Sequence, residues 1–210
     1  MIEGTQLAAL VASKVCHDLV EPMNAIIQGM ELLRDGDAST KADAMNLVDQ
    51  GVAKAWAKLD FFRFAVGGAL VEGEGELDEA RQVAERLYGA LRPELVWSAP
   101  AVVLPKAATR VVVNLLMIAN ECLPRGGKVE LSAGPGGEIT VTATGPRAGL
   151  RPATAAALRG ETPADGYNGP VVQPLLTGIL ARQAGVEIFT REGEEKVELI
   201  ARAAAIRLAA

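Results

Sequence analysis

The chain has 210 residues, half of them hydrophobic, with a net charge of −5 and a pI of about 5.1. That length suits one medium domain or two small ones with a sizeable core, and the acidic balance speaks against nucleic acid as a partner. No apolar run is long enough to span a membrane, Met1-Ile2-Glu3-Gly4 lacks a signal-peptide start, and Cys16 and Cys122, without metal-ligand spacing, read as reduced core residues of a cytoplasmic protein.

Ala8, Ala12, Val15, Leu19, Met23, Ile26, Met30 and Leu33 recur at steps of three or four and predict one long helix with a continuous apolar stripe. Turn residues at Asp35-Gly36-Asp37 should end it. Ser39 or Thr40 is a suitable N-cap for a second helix, whose stripe runs Ala44, Val48, Gly51, Ala55, Leu59, Phe62 and Val66. Gly67-Gly68 and the Glu72-Gly73-Glu74-Gly75-Glu76 stretch mark its end and a linker. A helical hairpin buries one apolar face poorly alone, so a second copy is expected to complete a four-helix bundle.

Beyond the linker the pattern changes to α+β. A helix is expected over Leu77 to Arg92, a short strand over Leu95 to Ser98, and a buried helix over Arg110 to Leu123. Lys128 to Ala133 and Glu138 to Ala143 alternate around Gly134-Pro135-Gly136-Gly137 and predict a hairpin. Helices follow over Arg151 to Leu158 and Val171 to Ala184, with Pro174 tolerated in the first turn of the latter. Val186 to Arg191 and Lys196 to Ala201 pair around Glu192-Gly193-Glu194. The expected domains are 1–72, a dimerising hairpin, and 77–207, a sandwich of helices on one face of a mixed sheet.

His17 is the single histidine. On helical spacing it points well away from Val15 and Leu19, hence off the apolar stripe. Neutral imidazole is a good nucleophile, and one nitrogen can attack phosphorus while the other holds the proton. Asp18 is the natural partner for that proton, and Lys14, one turn earlier, can offset phosphoryl charge. Pro22 has no N–H, so the Asp18 carbonyl loses its helical donor. If the hairpin turns near Asp37, His17 lies level with Ala57 or Lys58. Lys54, Lys58 and Arg63 then either line the surface a partner touches or serve as solubilising charges. Glu21, Asn24 and Gln28 continue the His17 face as docking residues.

His17-Asp18-Leu19-Val20-Glu21-Pro22 resembles the phosphoacceptor box of sensor histidine kinases, in which an ATP-binding sandwich follows a helical hairpin. Asn114-Leu115-Leu116-Met117-Ile118-Ala119 resembles the kinase asparagine box, but Ile118 stands where a magnesium-binding asparagine belongs, and a hard cation needs oxygen. Ala143-Thr144-Gly145-Pro146-Arg147 stands for the box whose aspartate binds adenine, and Ala143 cannot accept that hydrogen bond. Asn168-Gly169-Pro170-Val171-Val172-Gln173 stands for the glycine-rich phosphate cradle, where Pro170 removes a donor.

An intact histidine beside a dismantled nucleotide site resembles the ChpT-type histidine phosphotransferases of phosphorelays. The segments Cys16-His17-Asp18, Gly145 to Pro152 and Gly169 to Gln173 are similar to that family. The resemblance implies a cytoplasmic homodimer that passes phosphoryl groups through His17 between receiver domains, from a hybrid histidine kinase to CtrA-like response regulators. It implies no tightly bound cofactor, with magnesium carried by the receiver and no use of ATP. Arg147 and Arg151 read as structural, with contact to a partner as the alternative. The rival readings are an ATP-dependent histidine kinase and a non-catalytic dimeric scaffold.

Overall fold

The computed structural model describes residues 2–37, 39–67, 74–100, 103–164 and 166–203. The expected linker lies partly outside these residues, as does the end of the second expected domain at 207. Two long helices lead the chain, α1 (Gly4–Asp35) and α2 (Lys41–Val66), packed as a hairpin. The turn between them is held by Asp37. Its carboxylate accepts from the Ser39 hydroxyl at 2.6 Å and from the backbone N–H groups of Ser39 and Thr40 at 3.0 and 3.1 Å. The Ser39 hydroxyl and those amides hold the Asp37 carboxyl below its ordinary pKa. Thr40 occupies the N-cap of α2, but its hydroxyl donates back to the Asp37 carbonyl instead of capping the helix.

The helices touch where side chains are smallest. A Cβ on Gly29 would lie 2.6 Å from Val48 Cγ2, and one on Gly51 would lie 2.7 Å from Ile26 Cγ1. Glycine here exchanges helix propensity for close approach of two backbones. This contact splits the expected apolar stripe. Val15, Leu19, Ile26 and Leu33 turn at least partly inward, whereas Met23 and Met30 on α1 and Leu59 on α2 face outward. Val20, Ile27, Met45, Val52 and Trp56 share the exposed set. The helices carry apolar residues on more than one side, and the faces that meet the other helix and the rest of the chain are covered. Cys16 also corrects the reading. It is exposed, one residue before His17 on the outer side of α1, whereas Cys122 is buried and its thiol is pushed up to about 12, chiefly by burial.

The rest of the chain builds β1 (Glu74–Glu76), α3 (Leu77–Tyr88), β2 (Glu94–Trp97), β3 (Val103–Pro105), α4 (Lys106–Glu121), β4 (Lys128–Ala133), β5 (Ile139–Thr144), α5 (Pro152–Arg159), α6 (Gly169–Gln183), β6 (Val186–Gly193) and β7 (Lys196–Ala203). Five strands form one sheet in the order β2-β4-β5-β7-β6, parallel only between β2 and β4. Val129, Leu131, Ile139, Val141, Ala143, Val197 and Leu199 fill its core face. The core helix α4, buried almost throughout, packs against that sheet.

Several details differ from expectation. Helix α6 starts at Gly169, so Pro174 lies inside the helix and not in its first turn. Glu74–Glu76 lies in the expected linker yet pairs with Val103–Pro105 as a separate two-stranded sheet. Helix α3 stops at Tyr88, whose hydroxyl donates to the Leu116 carbonyl at 2.6 Å and pins the helix end to α4. Helix α4 starts at Lys106, directly after β3. The last hairpin extends to Gly193 and Ala203, because every residue from Val186 to Gly193 finds a partner on β7.

Helix α1 is seated on this α+β body. Val15 packs against the main core, and Ile2 and Leu7 join a small satellite core around Ala157, Val171 and Leu175 of α5 and α6. At the same open end of the hairpin, Asn114 of α4 is fully buried. It donates to the carbonyls of Ala65 at 3.2 Å and Arg110 at 2.8 Å and accepts from Gln173 of α6. Satisfied buried polar networks of this kind fix one relative placement of the elements.

Candidate functional site

His17 sits mid-helix on the outer face of α1, its side chain 85% exposed. Its Nδ1 lies 3.4 Å from Asp18 Oδ1, a long contact that leaves Nε2 open. Asp18 is better occupied by Lys14, whose Nζ stands 2.9 and 3.0 Å from the two carboxylate oxygens. Lys14 is therefore tied to its own helix, with the Glu121 carboxylate of α4 3.8 Å away on its other side.

The missing donor at Pro22 is replaced from the second helix. Lys58 Nζ donates to the Asp18 carbonyl at 2.8 Å and reaches Glu21 at 3.5 Å. Helix α1 thus runs through Pro22 without interruption, and the turn that follows His17 is clamped to α2. Lys58, not the half-buried Lys54, makes this contact. Arg63 turns elsewhere, to Asp60 at 2.7 Å, where Arg86 of α3 also donates.

Two hollows flank His17. One is a shallow groove along α1 lined by Val20, Glu21, Asn24 and Gln28. The other is a cleft of about 400 Å³ between α1 and the α+β body, lined by Lys14, Glu121, Arg151 and the first turn of α6 at Gly169 and Pro170. Glu121 and Arg151 complete a site that sequence reasoning left unassembled. Arg151 Nη2 is 3.6 Å from Glu121 Oε2. Burial raises the Glu121 pKa above the ordinary carboxylate value, and Lys14 and Arg151 pull it back. Two cations and two carboxylates thus surround an exposed imidazole, a setting able to hold a transient anion.

Residues of the three segments compared with a nucleotide site fall within regular elements. Ile118 and Ala143 are wholly buried, inside α4 and β5. Gly169 and Pro170 form the first turn of α6, where proline is tolerated. Among the described residues no group of three His, Cys, Asp or Glu side chains is placed to hold a metal, and no helix is long and apolar enough to cross a membrane.

Comparisons agree with this architecture. The family model described as "Histidine phosphotransferase C-terminal domain" matches residues 77–196. "Protein phosphotransferase ChpT" of Brucella abortus (strain 2308) is 32% identical over 200 residues, covering 93% of this chain and 95% of that protein. A solved structure described as a bacterial phosphotransferase superposes with a TM-score of 0.87 at 30% identity, covering 96% of this chain and 98% of that one. With an exposed histidine on a helical hairpin and an α+β sandwich behind it, the chain belongs to the ChpT-type histidine phosphotransferase family.

Proposed function

We propose that this protein shuttles phosphoryl groups between the aspartates of receiver domains through His17, without drawing on ATP. The observation that carries this reading is the imidazole itself: almost fully exposed, beside an open groove, with Nδ1 turned to Asp18 and Nε2 unobstructed. A phosphorylated receiver docks along Glu21 and Asn24. The Nε2 lone pair forms the N–P bond as the P–O bond breaks, and the electron pair leaves on the receiver aspartate. Asp18 accepts from Nδ1–H and steadies the imidazolium. The transition state is loose and charged, so placement and charge compensation dominate. Lys14 supplies compensation, while Lys58 keeps the turn rigid; Lys54 lies on the same helix and is offered as a receiver contact. Magnesium is expected to arrive with the receiver. The reverse reaction loads a second receiver.

The working unit in this reading is a cytoplasmic homodimer. A second copy covers Met23, Ile27 and Met30 of α1 and Val52, Trp56 and Leu59 of α2, completing a four-helix bundle; these side chains are exposed in a single chain. The resemblance extends the partners to a hybrid histidine kinase and CtrA-like response regulators. The loss of oxygen donors at Ile118 and Ala143 supports independence from ATP. The test is incubation with a labelled phosphoreceiver and, separately, with γ-labelled ATP. Label should pass from the receiver to wild type and not to His17→Ala, with none taken from ATP. Labelling by ATP, or equal labelling of both proteins, contradicts the proposal.

A further inference from the structure

Glu121 is out of place for a structural acid. It ends α4, its side chain is only 19% exposed, and Oε2 has no hydrogen-bond partner. Its cations stand off at 3.8 Å (Lys14) and 3.6 Å (Arg151). The buried acid of the hairpin, Asp60, is the contrast: Arg63 and Arg86 both donate to it within hydrogen-bond distance. A carboxylate oxygen buried without a donor costs stability, and such a group calls for a reason. The reason is its address. Glu121, Lys14, Arg151 and His17 line one cleft.

We propose that Glu121 is a positioning residue that holds Lys14 and Arg151 in reserve beside His17 and yields them to the phosphoryl group once it is bonded to the imidazole. This rests on the phosphohistidine reading above. A phosphoryl group brings roughly two negative charges. In the resting cleft Lys14 and Arg151 are balanced by Asp18 and Glu121. The incoming anion competes for both cations. Lys14 stays anchored by Asp18, and Arg151, 55% exposed at the N-cap of α5, is free to turn. As Arg151 turns and the anchored Lys14 shares its charge with the phosphoryl group, Glu121 loses the charges that keep it ionised and takes up a proton.

The groups facing Glu121 are few. Lys14, Asp18 and His17 approach from α1 and Arg151 from the start of α5. Cys122 is its neighbour, and Glu192 lies beyond, accepting from the Leu150 amide at 3.2 Å. Phosphorylation adds an anion and raises the proton affinity of Glu121 further. By reciprocity, protonating Glu121 favours the phosphohistidine. A shift of about one pKa unit corresponds to a tenfold change in that equilibrium.

The experiment mixes the full-length protein with one phosphorylated receiver and reads the equilibrium ratio of phosphohistidine to phosphoaspartate across about pH 5 to 8. Wild type is compared with Glu121→Gln, Glu121→Asp and Arg151→Gln, with His17→Ala as the blank. The receiver's own titration is common to wild type and Glu121→Gln, so it cancels in their comparison. The proposal predicts a ratio about tenfold higher for Glu121→Gln at the alkaline end, converging with wild type as pH falls. Glu121→Asp should keep the wild-type slope, and Arg151→Gln should lower the ratio several-fold. A Glu121→Gln ratio equal to wild type at every pH overturns it, as does Arg151→Gln without effect. If wild type gains no label beyond His17→Ala, the phosphohistidine reading itself has failed, a separate result.

Discussion

Lys58 on α2 donates to the carbonyl of Asp18 on α1 at 2.8 Å, the same carbonyl that Pro22 deprives of its helical N–H. A proline one turn and a half past His17 thus leaves open the carbonyl through which the two helices are joined. Lys58→Met should destabilise the protein by about 1–2 kcal/mol, since the lost bond is charge-assisted and half-shielded. In a Pro22→Ala background, where the helix can restore its own donor, the same change should cost about 1 kcal/mol less. Urea unfolding of the four proteins in this cycle checks the coupling.

Asp60 offers a test by pH. Burial alone would raise its pKa, but the Arg86 and Arg63 bonds and their charges outweigh that and hold the carboxyl below its ordinary value. A depressed native pKa stabilises fully above the unfolded value, near about pH 4, and the benefit fades as pH falls through the native value. Asp60→Asn should lose about 2 kcal/mol at neutral pH, with both partners partly exposed. Its stability curve should also be flatter than wild type on the acid side, measured by thermal unfolding from neutral to acidic buffer.

A glycine at the helix crossing and one at the start of α1 predict different outcomes. At Gly51 an added methyl would meet Ile26 Cγ1 at 2.7 Å and the Pro22 carbonyl at 3.0 Å, while at Gly4 it would meet nothing. Gly51→Ala should therefore destabilise by about 1–2 kcal/mol despite better helix propensity, because overpacking outweighs the gain. Gly4→Ala should be neutral or slightly stabilising. Denaturant midpoints at constant m distinguish these outcomes.

Much of this was legible in local sequence. The hairpin followed from helical periodicity, and counting residues outward from Asp37 brought Ala57 or Lys58 level with His17. Apolar periodicity did not reveal which face the helices share, because Met23 and Met30 fit the stripe as well as Leu19 and Ile26 do. Only the Gly29 and Gly51 contacts decide it. The pairing of Glu74–Glu76 with Val103–Pro105 was hidden, since three-residue strands carry no period and the partners are distant. The Lys14–Glu121–Arg151 arrangement was hidden for the same reason: three charges from three elements meet only after the sandwich docks on α1. The glutamate signal available was its position at the end of an otherwise apolar helix.

The outward apolar face makes a prediction about assembly. Trp56 is 64% exposed, and Val52 and Met30 accompany it. A charge placed there by Val52→Glu or Met30→Glu should leave helicity intact by circular dichroism and convert a dimer to monomers in sedimentation. A wild-type protein that sediments as a monomer at micromolar concentration contradicts the bundle.

The most direct measurement is the location of the phosphoryl group on protein quenched during transfer from a phosphorylated receiver, read by phosphorus NMR and by peptide mass spectrometry under alkaline conditions. The account predicts a single acid-labile, base-stable phosphate on Nε2 of His17. Phosphate on another side chain, or a protein that stays unmodified while the receiver loses label no faster than it does alone, would contradict it.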